Sequence, residues 1–70
     1  MREDRKRFIE RLESGKEDIA NVLREFVYTA SKEDIARVLI EYDYALYEAE
    51  KERSSYIESM TDSLREYWED

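Results

Sequence analysis

Carboxylates dominate the reactive groups of this seventy-residue chain: 19 Asp and Glu stand against 12 Lys and Arg, with no His and no Cys. Without those two residue types there are no ligands for a structural zinc site, no thiol nucleophile and no disulfide. The Ser hydroxyls have no imidazole, and no Lys beside them that would serve as a base. Two carboxylates act as acid and base only where a pocket separates their pKa values, and so short a helical chain rarely encloses one. Glu48 and Glu52, one turn apart, have the oxygen donors that Mg²⁺ or Mn²⁺ prefers, but acidic helices repeat that spacing by chance. The expectation is a protein without catalytic residues, metal or cofactor.

The most regular acidic pattern is Glu58, Asp62, Glu66 and Asp70, at successive four-residue steps. On a helix such like charges repel by about 0.2–0.5 kcal/mol per pair. Arg65, next to Asp62 and Glu69, is their one compensation. One reading is a phosphate-like rail that engages a basic protein surface, as a nucleic-acid mimic would. The other is the solvated side of an amphipathic helix, since the row lies opposite Met60 and Leu64. The net charge of −7 disfavours direct binding to nucleic acid. Residues 48–70 hold eight acids and three bases, hence −5, whereas residues 1–7 hold four bases and two acids, hence +2.

The elements that carry these residues read as helices. Pro is absent, Gly occurs once, and 44% of the residues are charged and 41% hydrophobic, a helical composition. A first helix is expected over about 2–13, with Phe8, Ile9 and Leu12 on one side. Ser14-Gly15 ends it, Gly suiting the left-handed position, and Ser14 with Glu17 can form a capping box for the next helix. The second helix, 16–30, has the apolar stripe Ile19, Val22, Leu23, Phe26, Val27 and Ala30. Ser31 repeats the cap, with Asp34 as the weaker partner.

A third helix starts at Lys32 and holds the rest of the chain together. At about 100° per residue, Ile35, Val38, Leu39, Tyr42, Leu46 and Ala49 form one apolar face. Ile40, Tyr44 and Tyr47 form a second face nearly opposite. The segment KEDIANVLREFVYTA (16–30) aligns without gaps to KEDIARVLIEYDYAL (32–46), with nine of fifteen positions identical. Within that repeat Arg24 is replaced by Ile40, and one position past it Ser31 matches Tyr47, so the third helix gains apolar groups where the second is polar. A helix with two apolar faces is either central to a fold or covered by a partner.

Residues 51–55, KERSS, contain no Gly, Pro or Asn, and the apolar seam continues through them with one break at Arg53. The expected architecture is an all-α helical bundle in one domain, 1–70, with two short helices packed on one long helix over 32–68. The alternative is a four-helix bundle with a turn at 51–55, for which Ser55 and Glu58 offer a cap. In the long-helix form, a face of Tyr56, Ile57, Met60, Leu64, Tyr67 and Trp68 must meet another chain. In the four-helix form it folds back into the core.

Two resemblances follow from these residues. ESGKED (13–18), SKEDIARVL (31–39) and the lack of Pro, Cys and His resemble de novo designed helical miniproteins, which would imply a scaffold or binder with no natural role. The tail SSYIESMTDSLREYWED departs from that idealised pattern. Tyr28, Ser31, Ile35, Ala36, Asp43, Leu46 and Glu48 match the spacing of the Hha/YmoA family of small helical co-regulators, which would imply a nucleoid protein as partner. Tyr44-Ala45 replaces that family's His-Arg, and its Pro before the C-terminal Trp is missing. From the residues themselves the expected function is a non-enzymatic protein-interaction module, self-associating as a homodimer or higher oligomer. Its expected contact residues are Ile40, Tyr44, Tyr47, Tyr56, Met60, Leu64, Tyr67 and Trp68. The alternative is a small acidic inhibitor of phage type that occupies a basic protein surface. No apolar run reaches the length of about 20 residues needed for a membrane span, and MREDRKRFIE is too polar for a secretory signal; the default expectation is a cytoplasmic protein.

Overall fold

The computed structural model describes residues 3–48 and 52–69, which form four helices and no strand. The expected all-α helical bundle is therefore what the chain adopts. The first helix, α1 (Glu3–Ser14), buries Phe8, Ile9 and Leu12. Its first turn is acidic and its last turn carries Arg11, an order that suits the helix dipole. Gly15 then takes the expected left-handed conformation, with φ 68°.

The second helix, α2 (Ile19–Thr29), buries Ile19, Val22 and Phe26. It starts three residues later than the expected 16. The capping box of Ser14 and Glu17 does not form, because each group is used elsewhere. The Ser14 hydroxyl donates to the Arg11 carbonyl at 2.8 Å. The Glu17 carboxylate accepts two hydrogen bonds from Arg11, at 2.7 and 2.5 Å. Asp18 becomes the N-cap with no side-chain capping bond. At the next junction the Asp34 amide donates to the Ser31 hydroxyl at 3.2 Å, which is the expected cap.

The expected single helix over 32–68 is replaced by two, α3 (Lys32–Glu48) and α4 (Arg53–Trp68). Glu52 is fully extended, with φ −148° and ψ 146°, so no continuous helix passes through it. The Ser55–Glu58 cap is not used either, since α4 begins at Arg53 with Glu52 as N-cap. A 37-residue rod would measure about 55 Å, whereas the molecule spans 30 × 22 × 17 Å. Apolar burial accounts for the choice. Folding back encloses Met60, Leu64 and Trp68, which are 1%, 0% and 3% exposed, and full burial of one such side chain contributes about 1.5–3 kcal/mol. Arg53, the one break in the apolar seam, donates to the Glu17 carbonyl at 3.0 Å across the bundle.

The core lies between α1, α2 and α4, with α3 packed on α4. Phe8 and Phe26 stack with centroids 4.1 Å apart, and Trp68 stands 6.0 Å from Phe26. Tyr42 meets Tyr56 edge to face at 6.4 Å, which ties α3 to α4. Polar clasps hold α1 in place: Arg5 to Asp34, Arg11 to Glu17 and Glu25, and Glu13 to Arg65.

Candidate functional site

The helical repeat predicts the same inward stripe for α2 and α3, but the two helices present different sides to the core. In α3 the buried residues are Asp34, Val38, Glu41 and Ala45. Ile35 and Tyr42 are half-buried, and Leu39 and Leu46 are exposed; Ala49 lies outside the described residues. Relative to α2, α3 is turned by roughly 60°, about two thirds of the 100° residue step. Three contacts set this rotation. Arg5 grips Asp34 with two hydrogen bonds, at 3.2 and 2.7 Å. Arg37, paired with Glu41 one turn on at 2.8 Å, lies over the Tyr67 ring of α4. Ala45, fully buried, provides a small surface on the side that meets the neighbouring helices.

The rotation leaves much of α3's apolar surface in solvent. Leu39 is 54% exposed, Ile40 59%, Tyr44 55% and Tyr47 83%. The expected second face is therefore outside the intramolecular core, and it is wider than the sequence suggests because Leu39 and Leu46 join it. Nothing in the stripe itself marks those two residues, since their partners in the repeat, Leu23 and Ala30, are partly buried. The only cue was Asp34, a charged residue on the edge of the apolar arc, needing a distant Arg to enter the core.

The expected contact residues separate into two sets. Ile40, Tyr44 and Tyr47 share the exposed face of α3. Met60, Leu64 and Trp68 belong to the core instead, because α4 folds back onto α1 and α3. Tyr56 is half-buried against Tyr42, and burial raises its pKa above the usual 10.0. Tyr67 is half-exposed, with the Arg37 guanidinium 4.2 Å over its ring, a cation–π contact. On the exposed face, hydrogen bonding to the Glu48 carboxylate raises the Tyr44 phenol above its ordinary pKa.

Glu58, Asp62 and Glu66 are all exposed on α4; Asp70 lies outside the described residues. Arg65 bonds to Glu13 of α1 rather than to the acids beside it. Among the described residues no three Asp or Glu side chains cluster in a way that would hold a metal ion. A cleft of about 390 Å³ between α1 and α2 is lined by Arg7, Phe8, Arg11, Glu25 and Phe26, among others. Its Arg11 is already bound by Glu17 and Glu25, which hold its pKa well above the ordinary value. What the surface can do chemically is bury apolar area against another surface. Comparison with family models, with curated proteins and with solved structures finds no match to this chain.

Proposed function

We propose that this chain is a non-enzymatic helical interaction module that self-associates through the solvent face of α3. The observation that carries the proposal is the exposure of Leu39, Ile40, Tyr44, Leu46 and Tyr47 together on one helix. Exposed apolar patches of this kind mark contact sites, and Tyr supplies large contact area at low entropic cost. The remaining features are compatible with this reading. No described helix is long and apolar enough to cross a membrane, and the acidic balance disfavours nucleic acid.

Sedimentation equilibrium tests the proposal. The wild-type chain should associate at micromolar concentrations, and Ile40→Glu should disperse it while the circular dichroism spectrum stays helical. A wild-type chain that remains monomeric at high micromolar concentration rejects self-association. A variant that unfolds instead of dispersing returns Ile40 to the core.

A second reading rests on the exposed row of Glu58, Asp62 and Glu66. In that reading α4 presents carboxylates to a basic protein surface as an inhibitor does. Binding to that target would weaken steeply with salt, and salt-independent binding would dismiss it.

A further inference from the structure

Resting on the α3 reading, we propose that the occupant of this face is a second copy, paired antiparallel across a two-fold axis with Lys32 of each copy bonded to Asp43 of the other. Three observations lead there. Lys32 and Asp43 are both exposed and have no ion-pair partner among the described residues. They are eleven positions apart, and at about 100° per residue eleven steps return to within about 20° of the same side. Both therefore lie along the midline of the exposed face, with Leu39 and Leu46 on one side and Ile40, Tyr44 and Tyr47 on the other. A two-fold antiparallel pairing sets this midline against itself end for end, so residue i meets j and j meets i. One opposite-charge pair on the midline then becomes two bridges across the interface.

The register follows from the pair. Its axis passes level with Arg37 and Val38, which sets Ala36 of one copy level with Leu39 of the other. Ala36 is exposed and small, so the backbones can approach closely. Tyr44 of one copy reaches the level of Ser31, at the N-terminal end of the other copy's α3. A parallel two-fold pairing sets the midline against itself level for level instead, so Lys32 would meet Lys32 and Asp43 would meet Asp43, and like charges would face each other. The area is adequate. With residues of the usual size, the exposed parts of Leu39, Ile40, Tyr44, Leu46 and Tyr47 amount to about 600 Å² per copy, or about 1,200 Å² for two, at the lower end of specific interfaces.

Charge reversal on the full chain tests this register. Sedimentation equilibrium at neutral pH would compare wild type, Lys32→Asp, Asp43→Lys and the double variant, with circular dichroism confirming the fold of each. Each single reversal breaks two bridges and should weaken the dimer about tenfold or more. The double variant restores both bridges with the charges exchanged and should return to within about threefold of wild type. Single reversals without effect, where Ile40→Glu still disperses the dimer, overturn the register and leave the α3 reading standing. So does a double variant no tighter than the singles. A wild-type chain monomeric at high micromolar concentration overturns both.

Discussion

At the scale of single residues, Asp34 is the most consequential polar group. It is 2% exposed, yet it is a carboxylate. Such a charge is tolerated inside only when paired and hydrogen-bonded. Arg5, from a helix 29 positions earlier, supplies both requirements, and its guanidinium lies 5.2 Å over the Trp68 ring. One residue thus joins α1, α3 and α4. Asp34→Ala leaves Arg5 without its partner in a site where its side chain is 19% exposed. It should cost about 3 kcal/mol in a urea titration, whereas loss of an exposed acid such as Glu33 should stay within about 0.5 kcal/mol. Glu17 offers a smaller effect of defined sign. Its hydrogen bond from Arg11 lowers its pKa below the ordinary 4.5. A depressed folded pKa stabilises the fold above the unfolded value, and that contribution disappears as pH falls through the folded one. Glu17→Gln should therefore flatten the acid limb of the stability curve below about pH 4.5, and an NMR titration of the Glu17 carboxyl should find its midpoint lower in wild type than in Arg11→Ala.

At the scale of elements, the two sides of α3 and α4 make opposite forecasts for the same change. Leu64→Ala empties a fully buried position and should cost about 2–5 kcal/mol. Leu46→Ala, on a residue of the repeat's apolar stripe, should change monomer stability by less than about 1 kcal/mol, because Leu46 is 45% exposed. Thermal or denaturant unfolding at a concentration low enough to keep the chain monomeric reads both. The pair also marks how far the sequence could be read. Stripes at three- and four-residue spacing locate α1, α2 and the start of α3, and the Ser14-Gly15 and Ser31 junctions separate them, because these signals are local. The inward side of α3 is not local. It depends on Arg5 and on the path of α4, so a segment that repeats half of the Ile19–Ala30 positions unchanged settles with another side inward. The break before α4 is hidden for a similar reason. KERSS has no helix breaker, yet Glu52 is extended and α4 starts afresh at Arg53, because burial of Met60, Leu64 and Trp68 outweighs local propensity. Among the proposed contact residues, Ile40, Tyr44 and Tyr47 were legible, since the helical wheel sets them apart from any core stripe. Leu39 and Leu46 were not.

For the whole molecule, the reversal between α3 and α4 decides the shape, and the shape is measurable without knowing the function. A compact chain of seventy residues should have a radius of gyration of about 11 Å, and the Cα radius here is 11.1 Å. The folded-back form has little room to be longer, because α1 joins α2 to α4 and α4 holds α3. If α3 and α4 instead ran on as one rod, the core would lose Met60, Leu64 and Trp68, and Phe26 would lose the ring beside it. Repulsion among the excess acids at a net charge of −7 favours the extended form, but charges separated by more than about 8 Å at physiological salt are largely screened. Apolar burial should therefore win at any ordinary ionic strength. Small-angle X-ray scattering, extrapolated to dilution, should give a single compact particle with a radius near 11 Å plus its hydration layer, unchanged between low and physiological salt. A maximum dimension near 55 Å at low salt that contracts on adding salt would mean that charge, not burial, sets the path of the chain after Glu48.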